Sequence, residues 1–173
     1  MPVNSGSLPA RRTFVITRVF EAPSQLVWRA WSEAEQMQTW WGPKGCSIEI
    51  AKFEFRPGGF FHYAMQFPNG PRMWGRFLYR EIARPERIVW LNSFSNEGCG
   101  ITRAPFDPLI PFEILNEATF VEKAGRKTTV TLRAHPHGAT ESEAKVFEGM
   151  FASFDRGYGG TFDQLATALA KAS

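Results

Sequence analysis

The chain has 173 residues, of which 43% are hydrophobic and 21% are charged, a composition typical of one globular domain and not of a disordered protein. The net charge of +3 comes from scattered residues and not from a basic stripe, which argues against a nucleic-acid-binding protein. Aromatic residues make up 14% of the chain, so either the core is unusually rich in rings or rings line a cavity.

The sequence also bears on the compartment of the protein. Cys46 and Cys99 are too few for a disulfide framework, and both are expected to be free thiols. The opening MPVNSGSLPARR lacks the apolar segment of a signal peptide, and no apolar run reaches membrane-spanning length. We therefore expect a cytoplasmic protein without membrane insertion, in which residues 1–11 form a flexible tail and residues 12–173 form one domain.

The amino-terminal part predicts one strand and two short helices. Residues 12–20 are rich in β-branched and aromatic side chains, which favours a strand. A helix follows, with Pro23 in its first turn. Ser32 and Glu35 then fit a capping box that opens the second helix, which ends before the Gly-Pro pair at 42–43.

A β-rich region comes next, and most of its strands are joined by short turns, as antiparallel hairpins require. Pro57 and Gly58 fit the two central positions of a type II turn. Residues 95–111 contain three prolines and two glycines and predict a long surface loop over one edge of the sheet. The candidate strands are Ser47–Phe55, Phe60–Phe67, Met73–Ala83, Arg87–Phe94, Phe112–Lys123 and Lys127–His135.

The last part of the chain has the pattern of one long amphipathic helix. Thr140 and Glu143 fit a capping box at its start. Large apolar side chains then recur every three or four residues over about 30 residues, so they share one face. A cluster of glycines suggests a bend, or a close approach of the helix backbone to a neighbour. These glycines are Gly149, Gly157, Gly159 and Gly160.

This order of elements predicts an α+β fold in which a curved antiparallel sheet of six or seven strands wraps around the long carboxy-terminal helix. A gap between sheet and helix is a natural cavity. The strand in the stretch FRPGGFFHYAMQFPNG, residues 55–70, is apolar on both faces. We expect Phe61, Tyr63 and Met65 to face inward, because that parity keeps His62 and Gln66 off the apolar side.

The predicted cavity is lined by large apolar side chains of the strands and of the last helix, where it would bind an apolar or aromatic small molecule. The alternative interpretation of the same residues is ordinary core packing. The candidates for the lining are Trp41, Phe53, Phe61, Tyr63, Met65, Trp74, Phe77, Trp90, Phe112, Phe120, Met150, Phe154 and Tyr158.

Catalytic and metal-binding interpretations are weaker. Glu54 or His62 could act as a general base, but an ion pair of Glu54 with Arg56 explains the first of them, and Asp155 has no support beyond its position. His135 and His137 are too few for a metal site, which needs three or four ligands. Gly58-Gly59 precedes a strand and not a helix, so it predicts a turn and not a phosphate-binding loop.

Four segments resemble the SRPBCC superfamily of START-like, birch-pollen-allergen-like helix-grip proteins. They are FEAPSQLVWRAWSEAEQMQTWWGP, FEFRPGGFFHYAMQFPNG, GRFLYREIARPERIVW and GYGGTFDQLATALA. Within that superfamily the chain is similar to the branch that is homologous to the activator of the heat-shock-protein-90 ATPase. Two departures are conservative: Glu54 and Tyr158 stand where that branch often has Asp and Trp.

The resemblance implies a helix-grip fold and a module that binds a small hydrophobic ligand without a cofactor. Two alternatives stay open, namely a cyclase-type or hydrolase-type enzyme that uses the same cavity and an interaction protein with a chaperone partner. The superfamily also has many bacterial members of unknown role. A homodimer is a further expectation, because the loop at 95–111 would expose Phe106, Leu109 and Ile110 near a sheet edge.

Overall fold

A computed structural model describes residues 13–172, so the tail predicted at 1–11 lies outside the described part of the chain. Within it, the predicted α+β helix-grip fold is confirmed. The strands are β1 (Phe14–Phe20), β2 (Ser47–Phe53), β3 (Phe60–Gln66), β4 (Arg72–Ala83), β5 (Arg87–Ser95), β6 (Glu113–Lys123) and β7 (Lys127–His137), and the helices are α1 (Ser24–Ser32), α2 (Ala34–Trp40), α3 (Glu141–Gly149) and α4 (Phe151–Ala172).

All seven strands form one antiparallel sheet in the order β1-β7-β6-β5-β4-β3-β2. The chain therefore crosses the sheet only once, from β1 at one edge to β2 at the other, through α1 and α2. Helices α1, α2 and α4 pack on the inner face of the sheet, and α4 is the long helix that the sheet wraps. None of the helices within residues 13–172 is long and apolar enough to cross a bilayer.

The middle of the space between sheet and helices is filled by a close-packed aromatic core. The Trp31 ring lies at its centre, with its centroid 4.9 Å from that of Trp40, 5.8 Å from that of Trp90 and 5.5 Å from that of Phe120. Phe162 of α4 is fully buried and joins the same cluster. Burial of each such ring contributes about 1.5–3 kcal/mol, so this cluster contributes strongly to the stability of the domain.

Strand β3 is covered on both faces, which explains why its sequence does not alternate. Phe61, Tyr63 and Met65 face the helices, as predicted. On the outer face, the ring of His62 stacks on Trp74 with centroids 4.8 Å apart, and its Nε2 lies 3.1 Å from the carbonyl oxygen of Asn96. The loop after β5 therefore protects the outer face of β3.

The turn before β3 has the predicted type II geometry. Gly58 has a φ of 82°, and the Gly59 N–H donates a 2.8 Å hydrogen bond to the carbonyl oxygen of Arg56. A Cβ at Gly59 would lie 2.2 Å from the carbonyl oxygen of Glu54, so only glycine fits there. Gly58-Gly59 is therefore a structural turn.

The capping box predicted at Ser32 and Glu35 is wrong. Helix α1 continues through Ser32, and Glu33 caps α2 without a side-chain hydrogen bond to the helix. The Glu33 carboxylate instead accepts a 2.9 Å hydrogen bond from Nε of Arg29, one turn earlier. Helix α2 therefore begins one residue later than the pattern predicted.

The helix predicted over about 30 residues is divided into α3 and α4. Gly149 ends α3, and Met150 has a φ of −97° and a ψ of 2°, which interrupts the helix. The bend that the glycines suggested thus lies at the first of them, while Gly157, Gly159 and Gly160 remain inside α4. The capping box of Thr140 and Glu143 at the start of α3 is confirmed.

Candidate functional site

Three adjoining pockets lie on the inner face of the sheet, at the end where α3 meets α4. The pocket among β1, β5, β6, β7 and both helices has a volume of about 200 Å³, and the pocket between β3 and α4 also has about 200 Å³. A smaller space of about 110 Å³ lies below the loop at 104–111. Asn92 of β5 belongs to the wall of all three, so the pockets adjoin one another.

The break between α3 and α4 borders one of the two larger pockets. It allows Phe147 of α3 and Phe154 of α4 to lie on opposite sides of Met150 and to face the same space. The pocket at this junction is lined by Phe14, Asn92, Phe94, Phe106, Ile110, Ile114, Asn116, Ala134, Phe147, Met150, Phe154 and Tyr158. Two larger depressions of about 450 Å³ elsewhere are lined mainly by polar and charged side chains.

Six of the residues predicted to line the cavity belong to its walls. Tyr63 and Met65 come from β3, Trp41 follows α2, and the others belong to the junction of α3 and α4. The full set is Trp41, Tyr63, Met65, Met150, Phe154 and Tyr158. Their role in binding stays a prediction.

Five other predicted residues lie in or against the packed core. Phe77 stacks on Trp90 with ring centroids 4.9 Å apart, and Phe61 contacts both Phe53 and Phe77. Phe120 packs against Trp31. Core packing was the alternative interpretation of these residues, and the structure favours it because the surrounding rings fill the space.

Trp74 and Phe112 lie away from the cavity. Trp74 is on the outer face of the sheet, since its parity in β4 is opposite to that of Phe77, and Arg72 covers its ring at 5.1 Å. Phe112 is exposed just before β6, and the guanidinium of Arg103 lies 3.6 Å from its ring centroid. An arginine side chain therefore lies over each of these two rings in a cation–π contact.

The sequence analysis missed the two asparagines of the cavity. Asn92 and Asn116 occupy inward positions of β5 and β6, between apolar neighbours of the same parity. A signal was present in the sequence, because each asparagine interrupts a period-2 run of apolar residues, Trp90-x-Asn92-x-Phe94 and Ile114-x-Asn116-x-Ala118.

The walls of the junction pocket and of the pocket between β3 and α4 carry no Asp, Glu, Lys, Arg or His from the described residues. Burial raises the pKa of the Tyr63 phenol to about 12 and raises the pKa of Tyr158 as well, so both stay neutral. The walls of these two pockets are therefore uncharged at neutral pH, and their polar side chains carry amide, phenol and hydroxyl groups.

The three candidates for catalysis lie outside this cavity. Glu54 pairs with Arg56 at 3.2 Å and accepts a hydrogen bond from the Phe60 N–H, as the ion-pair interpretation proposed. His62 is buried on the outer face, and Asp155 is exposed on α4. Between residues 13 and 172, no three His, Cys, Asp or Glu side chains are close enough to hold a metal ion, and both cysteines are free.

The loop at 96–112 closes one side of the cavity. Phe106 packs edge-on against Phe94 with centroids 5.7 Å apart, although 61% of its surface is exposed. Ile110 is not exposed as predicted: it is 5% exposed, because its side chain enters the cavity wall. Arg103 fastens the loop to α3 through an ion pair with Glu143, and Glu143 also caps that helix.

The family of the chain follows from its sequence together with this fold. The family model described as Activator of Hsp90 ATPase homolog 1-like protein matches residues 21–170. The chain belongs to this family. No curated protein matches the sequence.

Solved structures of similar proteins agree with the fold. A protein from Mycobacterium smegmatis superposes with a TM-score of 0.73 at 23% identity, over 94% of each chain. A protein from Nitrosomonas europaea gives a TM-score of 0.73 at 25% identity, over 95% of this chain and 97% of the other. A protein from Arthrobacter aurescens gives 0.75 at 24% identity, over 93% and 87%. All three structures thus share the fold of this chain.

Proposed function

We propose that this member of the family is a binding protein for a small, uncharged and largely apolar molecule, held where α3 meets α4. The observation that carries the proposal is a preformed apolar cavity without an ionisable side chain other than tyrosine in its two larger pockets. Apolar walls favour an apolar ligand by about 25 cal/mol per Å² of buried area. A charged ligand would lose its hydration there without gaining a partner.

An enzyme that uses the same cavity is less well supported. General acid–base catalysis needs a group that can exchange a proton within hydrogen-bond reach of the substrate. Glu54, His62 and Asp155 all lie elsewhere, and the buried phenols have pKa values too high for a base at neutral pH. A chaperone partner rests on the family name alone, and the homodimer remains a prediction.

Fluorescence titration with a matched pair of probes tests the proposal. N-phenylnaphthylamine is neutral and brightens in apolar surroundings, whereas its sulfonated analogue has the same rings and a negative charge. We expect the neutral probe to bind roughly tenfold or more tightly than the sulfonate, because the cavity offers the charge no partner. Equal binding of both probes, or binding of neither, would contradict the proposal.

A pair of matched variants locates the bound probe. Ala134→Leu adds bulk inside the junction pocket, whereas Ala152→Leu adds the same bulk on the exposed face of α4. The first should weaken binding of the neutral probe by about tenfold, and the second should leave it unchanged. If both variants bind as the unaltered protein does, the probe is bound elsewhere.

A further inference from the structure

Asn116 lines the junction pocket, and its side-chain oxygen, Oδ1, is a buried hydrogen-bond acceptor without a partner among the described residues. The residue as a whole is 1% exposed. A buried amide oxygen without a partner is destabilising, so a protein keeps one where something else satisfies it.

The hydrogen bond made by the amide nitrogen of Asn116 fixes the orientation of the amide group. Nδ2 donates a 3.1 Å hydrogen bond to the carbonyl oxygen of Ile114, two residues earlier on β6. A flipped amide would place Oδ1 against that carbonyl, and two acceptors repel each other. The unsatisfied atom is therefore the acceptor, and its missing partner is a donor.

Asn92 supplies a second polar group on the same wall. It lies opposite Ile114 in the register of β5 and β6, which makes it the diagonal neighbour of Asn116, about 7–8 Å away. Its side chain makes no hydrogen bond to any described residue. The unpaired Oδ1 of Asn116 and the side-chain amide of Asn92 therefore form a polar pair on one apolar wall, which can orient a ligand.

One rival partner lies within the protein. Trp90 is directly opposite Asn116 in the register, and its indole N–H is buried without a hydrogen bond. The ring of Trp90 stacks on Phe77, and it makes no hydrogen bond to Asn116 in this arrangement. A water molecule between the two would satisfy Asn116 Oδ1 without a ligand, and the experiment below distinguishes this case.

We infer that the ligand of this cavity carries an O–H or N–H donor, which Asn116 Oδ1 accepts, on an otherwise apolar and uncharged body. This inference rests on the proposed function and makes it more specific. Asn116 is then the residue that determines specificity, and it selects donors over molecules of the same shape that lack one.

The test compares N-phenylnaphthylamine, which has one N–H donor, with its N-methylated derivative, which has none. Both are titrated into the unaltered protein and into Asn116→Leu, whose branched side chain has a similar shape without an acceptor. We expect the unaltered protein to prefer the N–H probe by about tenfold, and Asn116→Leu to lose that preference, since one hydrogen bond is worth about that factor. Any loss of binding that comes only from the bulk of the methyl group should appear in Asn116→Leu as well. The comparison of the two proteins therefore separates that effect from the loss of the N–H donor.

Three outcomes are distinguishable. Equal binding of the two neutral probes at the cavity overturns this inference and leaves the proposed function intact, as expected if water or Trp90 satisfies Oδ1. A preference that survives in Asn116→Leu also overturns it. Binding of neither probe defeats the proposed function itself.

A second measurement needs no variant: the side-chain amide resonances of Asn116 in the unaltered protein should shift with the N–H probe and hardly with the methylated one.

Discussion

Single residues decide the shape and polarity of the cavity. Gly75 of β4 lies directly opposite Tyr63 of β3, and a Cβ at Gly75 would lie 2.8 Å from Cζ and Oη of that ring. The missing side chain therefore allows the Tyr63 phenol to lie flat over the strand, where it forms part of two pocket walls. Glycine is needed here for close approach and not for its backbone angles.

Gly75→Ala should therefore disturb the cavity as well as the stability. The added methyl group displaces the Tyr63 ring, and we expect the free energy of unfolding to fall by about 1–3 kcal/mol and the neutral probe to bind more weakly. Chemical denaturation and fluorescence titration measure the two effects.

Gly159→Ala is the matched control. No side chain or remote backbone atom lies within 4 Å of a Cβ at this position, which is inside α4. The same substitution should there stabilise the protein by up to about 1 kcal/mol. If Gly75→Ala behaves like this control, the close contact with Tyr63 has no energetic importance.

Among the elements, α3 and the loop at 96–112 depend on each other through one carboxylate. Glu143 accepts a 3.0 Å hydrogen bond from the Thr140 N–H and also pairs with Arg103 of the loop. Arg103 in turn donates to the carbonyl oxygen of Ile110, which belongs to the cavity wall. One charged side chain thus joins the start of α3 to the wall of the cavity.

The pH dependence of stability should reveal this carboxylate. The hydrogen bond from the Thr140 backbone and the pairing with Arg103 hold the pKa of Glu143 below its ordinary value of 4.5. A lowered pKa in the folded state means that the stabilisation is complete above about pH 4.5 and is lost as the pH falls through the folded-state pKa.

Glu143→Gln isolates the charge, because glutamine can still accept the capping hydrogen bond. At pH 7 the variant should unfold with about 1 kcal/mol less free energy. Below the folded-state pKa the difference should vanish, which urea denaturation at several pH values can measure. A difference that stays constant down to acidic pH would show that the charge of Glu143 contributes nothing.

At the scale of the whole molecule, most of the fold was predictable and the position of the cavity was not. Turn residues and β-propensity gave the strands to within two residues, because Gly and Pro interrupt the apolar runs clearly. The rings were expected to surround a cavity along the long helix. Their total bulk instead fills the centre of the domain around Trp31, and the open space lies beside the first half of α4 and at the break near Met150.

The reason lies in contacts between residues that are distant in sequence. Parity identified Phe61, Tyr63 and Met65 as inward residues, but it could not show that Phe61 meets Phe77 while Met65 reaches open space. The importance of Asn92 and Asn116 also depends on the register of β5 and β6, which the sequence does not reveal. The signal that the sequence offered for these two asparagines was a polar residue at a strand position whose neighbours of the same parity are apolar.

The most direct test of this account is methyl NMR of the protein titrated with N-phenylnaphthylamine. Methyl signals of Ile110, Ile114 and Met150, which line the junction pocket, should shift. Signals of Val130, Leu132 and Leu165, which are fully buried in the core, should stay in place. Shifts confined to the core or to the exposed Val15 and Val19 of β1, or no shifts at all, would contradict the claim that the junction of α3 and α4 is a ligand-binding cavity.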